Sequence, residues 1–345
     1  SAGPVIQFAR DDRRLSALQA ALAFFAPQMP VIVFPAWDCL PYDRVSPRPD
    51  ITAARMATLA TLTHARPERF VLLPTLAAAH QRVPSRATLK DAAFRADVGK
   101  RIDEGALRAF LTRMGFAQSP TVTEAGDFAV RGGIIDIYPP GESGPVRRDL
   151  FGDVLDGARR FDPVSQRTTE PLTRVELAPV SEVILDEAAI RRFRQTYRIE
   201  FGAAGTDDPL YEAVSAGRKH QGVEHWLPFF QDDLETLFDY LPDAPVSLDD
   251  QLLPALDSRW EGIADQYQAR LEAMTAKGRM ESVYKPCPPE RLSLDPAGFA
   301  IVLAGRRRRQ FHPLAQSGGP GVTDAGGRIG RNFSPARQQA KVNLF

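Results

Sequence analysis

The sequence predicts a multidomain protein that combines a parallel α/β domain with an antiparallel α+β domain. Two observations carry this reading. Short continuous apolar runs alternate with helix-length periodic stretches up to about residue 90, and helices return from about residue 178. Between those points, strand-like runs follow one another through tight Gly/Pro turns. At 345 residues the chain has room for two or three domains, each with its own core.

Val5-Ile6-Gln7-Phe8 reads as a buried strand, and Asp11 or Asp12 can cap a helix that places Leu15, Leu18, Leu22 and Phe25 on one stripe. Val31-Ile32-Val33-Phe34 is a second strand, Ile51 to Leu62 a helix, and Phe70-Val71-Leu72-Leu73 a third strand. Apolar strands without polar alternation belong to a parallel sheet covered on both faces. The pattern changes near residue 90. Asp103 can cap a helix with Leu107, Phe110, Leu111 and Met114 on one side, followed by strands near 119–123, 128–138, 146–151 and 154–161. Helices are expected over 187–197, 208–217 and 256–276, and Ile301-Val302-Leu303 as a strand rejoining the first sheet. The Gly-rich tail from Ala315 reads as a linker. Ser1 at the start, and Phe345 interrupting a helical run at the end, suggest a piece of a longer chain.

Forty-three basic side chains balance forty-three acidic ones, so no overall field draws the chain to nucleic acid or an anionic membrane. Cys39 and Cys287 are too few for a disulfide framework or a zinc site. No apolar run approaches the roughly 18 residues of a spanning helix, and no signal-peptide pattern opens the chain. A cytoplasmic protein with no membrane partner is expected.

Motifs of catalysis are scarce. The Gly99-Lys100 pair is followed by Arg101 rather than Ser or Thr, and Phe94 stands where the first glycine of a phosphate-binding loop belongs. Val183-Ile184-Leu185-Asp186-Glu187 imitates a nucleotidase strand ending in acids. It also suits a helix start, where carboxylates complement the dipole. The five histidines show no metal-binding spacing. His225, beside Glu224, suits a structural role, since sequence neighbours diverge on either regular element. Arg306-Arg307-Arg308-Arg309 reads as the solvated end of a strand, with phosphate or DNA contact as the alternative. No catalytic, cofactor or metal residue is therefore nominated.

The candidate site is a protein-binding face. In a strand from Val146 to Phe151, alternation places Arg147, Asp149 and Phe151 on one side and Val146, Arg148 and Leu150 on the core side, with Arg148 snorkelling at an edge. Arg131 ends a neighbouring strand and extends the first face. An exposed aromatic among arginines has the composition of an interface hot spot; an inward-turned Phe151 among solvated arginines is the alternative. Asp136, between apolar neighbours, suits a cross-strand pair with an arginine.

Phe34-Pro35-Ala36-Trp37-Asp38-Cys39-Leu40-Pro41-Tyr42-Asp43-Arg44-Val45-Ser46-Pro47, followed by Asp50-Ile51, Arg55 and Leu59, resembles the N-terminal region of the bacterial transcription-repair coupling factor (Mfd) family. So do Gly126 to Gly132, Phe161-Asp162-Pro163 with Ser165-Gln166-Arg167, Gly222 to Phe230, and the tail from Asn332. The resemblance implies a degenerate, helicase-type UvrB-like α/β domain split into residues 1–92 and 178–312. A UvrA-binding domain is inserted over 93–177, and a linker with the start of the next domain fills 313–345. It implies that Arg131, Arg147 and Phe151, with Asp149 beside them, meet UvrA. Arg131 and Arg147 would pair acidic groups, and Phe151 would fill an apolar pocket between them. Arg148 and Leu150 stand where the family has bulkier apolar residues, which implies looser local packing. For the whole protein the family implies ATP and Mg as cofactors, with RNA polymerase and double-stranded DNA as further partners; this piece alone carries no cofactor. The span from Pro47 to Ile51 leaves no room for UvrB's damage-probing hairpin. Two enzymatic readings stand as alternatives. One is an ATP-dependent DNA-remodelling enzyme whose phosphate loop precedes Ser1. The other is a small-molecule enzyme in which Asp186, Glu187 and His225 converge.

Overall fold

The computed structural model describes residues 3–311 apart from 65, 93, 203–207, 250 and 277–283, and only the backbone of Asp91, Phe151 and Ala276. The tail from His312, including the expected linker, lies outside the described residues.

The first half of the α/β part runs β1 (Val5–Gln7), α1 (Asp12–Phe25), β2 (Val31–Phe34), α2 (Pro49–His64), β3 (Val71–Pro74), α3 (Leu76–Ala79) and α4 (Arg86–Asp91). Three of these helices, α1, α3 and α4, have a local reason to begin: Asp11, Thr75 and Ser85 each accept a backbone N–H of the first turn with a side-chain oxygen. Next come β4 (Phe94–Asp97), α5 (Glu104–Arg113), β5 (Ala117–Gln118), β6 (Asp127–Arg131), β7 (Ile134–Ile137), β8 (Val146–Phe151), β9 (Val154–Phe161), β10 (Thr168–Leu172) and β11 (Arg174–Leu177). The chain then returns through α6 (Glu187–Phe201), α7 (Pro209–Ser215), a 3-10 helix (Val223–Phe229) and α8 (Leu237–Tyr240). It ends with β12 (Val246–Asp249), α9 (Leu252–Ala276), α10 (Pro289–Leu292), α11 (Pro296–Ala304) and β13 (Arg308–Phe311).

Five strands form one parallel sheet in the order β13-β12-β1-β3-β2, so strands from both ends of the chain share it. Its core gathers Phe8, Phe34, Met56, Leu72, Phe238, Leu248 and Phe299. A second sheet, β10-β9-β8-β7-β6-β5, is antiparallel except where β5 meets β6, and β4 pairs with β11 as a separate ribbon. The core of the second sheet draws on Leu107, Phe110, Leu111 and Met114 of α5, as their spacing predicts. A third cluster, aromatic and centred on Phe193, Tyr197, Trp226 and Phe229, joins α6, α7 and the 3-10 helix.

Several expectations need correction. Ile301-Val302-Leu303 lies inside α11, whose start is set by Pro296 and by Asp295 accepting from Gly298 N. The strand that rejoins the sheet is the arginine-rich β13 just after it. The run 128–138 is a hairpin of β6 and β7 turning at Gly132-Gly133. Gly132 has φ 59°, and a Cβ on Gly133 would lie 2.7 Å from the Leu150 carbonyl oxygen. Residues 119–123 are not a strand. The short β4, β10 and β11 escape the sequence pattern: β10 is mostly exposed and shows no apolar period, while β4 and β11, at four residues each, offer too few alternations to stand out. Of the α1 stripe only Leu15 is buried, and Phe25 is in solvent.

A buried ion pair couples α2 to the chain that follows β11. Arg55 and Glu182 are fully buried and meet at 2.5 and 3.3 Å. Arg55 also donates to the Pro35 carbonyl and lies over the Phe34 ring, while Trp37 Nε1 donates to the same carboxylate. These bonds satisfy the charges that burial would otherwise penalise.

Candidate protein-binding face of the antiparallel sheet

Register decides which side chains share a face of the second sheet. Asp136 lies opposite Arg147, and Arg147 opposite Arg159; Ile134 lies opposite both Arg131 and Asp149. One surface therefore carries Arg131, Ile134, Asp136, Arg147, Asp149 and Arg159.

That face is half covered. Asp127 accepts from the backbone N–H groups of Thr123 and Glu124 and holds the 119–124 loop, whose Val122 packs with Ala129 and Phe161. Arg147 sits at the border. Its guanidinium forms a fork with Asp136 at 2.8 and 2.9 Å, lies over the Phe161 ring at 4.7 Å and donates to the Gln166 carbonyl. The Arg147 side chain is 21% exposed and that of Asp136 only 2%. The hydrogen bonds to Asp136 raise the Arg147 pKa, so the guanidinium stays charged. Asp136 is thus a structural anchor for the arginine, as its position between apolar neighbours predicts.

The open half carries Arg131, Ile134, Asp149 and Arg159. Arg131 is exposed and donates to the Pro120 carbonyl at 2.6 Å, while Arg159 meets Asp149 at 3.4 Å. Ile134 is 38% exposed, an apolar residue among these charges. The Phe151 side chain lies outside the described residues; its backbone pairs with Val154. The sequence reading placed Arg131, Arg147 and Asp149 on one face, and missed Ile134 and Arg159. Alternation could have found both, since Ile134 shares parity with Asp136 on β7 and Arg159 with Phe161 on β9.

Residues 94–183 match the UvrB interaction domain family. The chain is 36% identical to the transcription-repair-coupling factor of Escherichia coli (strain K12) over 242 residues, which is 70% of this chain and 21% of that protein. Against the transcription-repair-coupling factor of Myxococcus xanthus it is 35% identical over 308 residues, 83% of this chain and 24% of the relative. For the Rickettsia bellii factor the match is 30% over 288 residues, 84% and 25%. Most of the chain corresponds to a part of the transcription-repair-coupling factors. It spans about a fifth to a quarter of the length of these curated relatives.

The inner face of the same sheet departs from the sequence expectation. Arg148, expected to snorkel at an edge, is fully buried, and Nε, Nη1 and Nη2 have no hydrogen-bond partner among the described residues. Burial alone pushes its pKa down to about 9. A charged group in that setting destabilises the fold.

The other candidate groups are dispersed. Asp186 caps α6 by accepting from Ala189 N, and Glu187 points into solvent. His225 is buried edge-on to Trp37 and 3.9 Å from Cys39 Sγ, and burial lowers its pKa to about 4. The three do not converge, which removes the geometry the small-molecule enzyme reading requires. Among the described residues no cluster of three potential metal-binding side chains occurs, and no helix is long and apolar enough to cross a membrane. The arginine run divides: Arg306 donates to the carbonyls of Phe238, Leu241 and Ala244 at the end of α8, whereas Arg308 and Arg309 are exposed on β13.

Proposed function

We propose that this chain is the UvrA-recruiting module of a transcription-repair-coupling factor acting in nucleotide excision repair. In this reading residues 93–177 form an inserted UvrA-binding domain. Residues 1–92 and 178–312 form a degenerate UvrB-like α/β domain that supports it without catalysing a reaction. The observation that carries the reading is a coincidence: the segment matched to the UvrB interaction domain contains the sheet whose outer face collects Arg131, Arg147 and Asp149. Arg131 and the exposed edge of Arg147 pair acidic groups of UvrA, Asp149 takes a basic one, and Phe151 fills an apolar pocket, while the exposed Ile134 adds apolar surface to the face. Parts of the coupling factor outside this chain supply ATP and Mg binding, DNA translocation and the contact with RNA polymerase.

The test is titration of purified UvrA with this chain and with Arg131→Ala, Arg147→Ala and Phe151→Ala variants, each checked for folding by circular dichroism. Truncation at the centre of such a patch costs about 2–4 kcal/mol, roughly 30- to 1,000-fold in affinity. Saturable binding weakened by that order in the folded variants is the expected result. No binding by the folded parent chain would sink the proposal.

A further inference from the structure

One arginine of the second sheet stands where folding gives it little reason to be. Arg159 on β9 lies directly opposite Arg147 on β8 in the strand register. Side chains paired in this way have Cβ atoms about 4.5–5.5 Å apart, and like charges so placed are destabilising. Across the sheet their row reads Ala129, Asp136, Arg147, Arg159 and Pro171. Its one carboxylate, Asp136, is committed to Arg147 through both oxygens. Arg159 has only Asp149 of the next row, with Nη1 3.4 Å from Oδ2, against 2.8 and 2.9 Å in the fork. The Arg159 side chain is 55% exposed and that of Asp149 31%. A single long contact between such exposed groups stabilises little.

Gly157, two residues earlier on the same face, keeps the approach to this guanidinium open. A Cβ at Gly157 would meet only Asp149 Oδ2 at 3.4 Å and Arg159 Nη2 at 4.0 Å, both ordinary contact distances. The register of β8 and β9 shifts beside it, yet Gly157 is not among the residues with a left-handed φ. Neither backbone conformation nor packing within the chain therefore calls for glycine. Its missing side chain leaves a space bordered by the Arg159 guanidinium, where another chain can come close.

We propose that Arg159 is a further UvrA-contacting residue, pairing a carboxylate of UvrA that enters over Gly157 beside the acidic group met by Arg147. The inference rests on the UvrA-recruiting reading and specifies what the partner presents. UvrA carries two acidic side chains about one cross-strand spacing apart, roughly 5 Å, facing the two guanidinium groups. Their arrival removes the repulsion between Arg147 and Arg159, so a pairing unfavourable in the free chain becomes favourable in the complex. Asp149 steadies Arg159 through Nη1, and Nη2, on the Gly157 side, donates to the incoming carboxylate.

The test is titration of UvrA with the whole chain and with Arg159→Ala, Arg159→Lys and Gly157→Leu variants. Arg108→Ala, an exposed arginine on α5 away from this face, controls for the loss of one positive charge. Urea unfolding of each variant is measured alongside. In Arg159→Ala the affinity should fall at least about tenfold, the loss of one charge-assisted hydrogen bond. Its urea midpoint should be no lower than that of the parent, a combination that a purely structural arginine would not give. Arg159→Lys, which keeps the charge without the planar fork, should fall between parent and Arg159→Ala. Gly157→Leu should weaken binding with Arg159 intact, and Arg108→Ala should bind as the parent does. Should Arg159→Ala not fold, Arg159→Gln is measured in its place; should Gly157→Leu not fold, Gly157→Ala is. If the parent binds UvrA and a folded Arg159→Ala binds equally well, the role of Arg159 is overturned while the UvrA reading stands. An equal loss in Arg108→Ala would overturn it too, and parent-like binding by a folded Gly157→Leu would overturn entry over Gly157. A parent chain that does not bind UvrA would remove both this inference and the reading beneath it.

Discussion

Arg147 shows how one side chain can serve both packing and recognition. Its fork onto Asp136 places the guanidinium at the border between the covered and open halves of the sheet face. Removing it leaves a carboxylate with 2% exposure and no cation. Arg147→Ala should therefore destabilise the chain by about 2–4 kcal/mol, somewhat less than for a fully buried pair. Urea unfolding would measure this, and the Asp136→Ala/Arg147→Ala double variant should recover part of the loss. Arg148, one residue on, should behave oppositely. Arg148→Met replaces a buried, unsatisfied cation by an apolar chain of similar length and should stabilise by about 1–3 kcal/mol. A lower urea midpoint for that variant would show that a partner stabilises the guanidinium. Alternation assigned these neighbours to opposite faces correctly. It could not tell how deeply Arg148 is buried, because that depends on the α5 layer packed beneath the sheet.

Among the elements, the pair of Arg55 on α2 and Glu182 beyond β11 joins segments 127 residues apart. The same glutamate accepts from Trp37, so the loop after β2, the helix α2 and the return of the chain from the second sheet meet at one carboxylate. Arg55→Ala should cost about 3–5 kcal/mol. Circular dichroism melting would detect this, and a shift within experimental error would show that the pair contributes nothing net. The elements legible in the sequence were those with a strong period or a cap: α5, with Asp103 and its apolar stripe, and β8, with its strict alternation. Elements without such signals were missed. Ile301 to Leu303 are apolar enough for a buried strand, and periodicity alone does not separate a short apolar helix from one. The cap at Asp295 decided for helix, and the adjacent arginines, far from core-like, became the edge strand β13.

For the molecule as a whole, acid is the expected weakness. Burial lowers the pKa of His80 to about 3 and that of His225 to about 4, from an ordinary value near 6.5. Both must take up protons on unfolding before they can in the native state. The stability due to their neutral forms is fully present above about pH 6.5 and is lost as the pH falls towards those native values. Each histidine contributes a slope of about 1.4 kcal/mol per pH unit in that window. Unfolding free energies measured at pH 7.5 and pH 5 should differ by about 3 kcal/mol or more. Equal values would mean that the two rings are not buried neutral. The α/β and antiparallel parts were both visible in the sequence, because parallel strands buried on two faces and hairpins open on one face leave different periods.

By itself the sequence determined the local choices only where the signal was strong: the long periodic helices, the caps at Asp11 and Asp103, the continuous apolar strands, and the shared face of Arg131, Arg147 and Asp149. Those follow from nearest-neighbour physics, from period, capping and side-chain alternation. Only the tertiary structure decided how much of that face stays open, that Arg148 is fully buried, and that His80 and Arg259 meet across 179 residues. Burial and long-range pairing depend on what other segments bring to the same place, and no local pattern records which segment that will be.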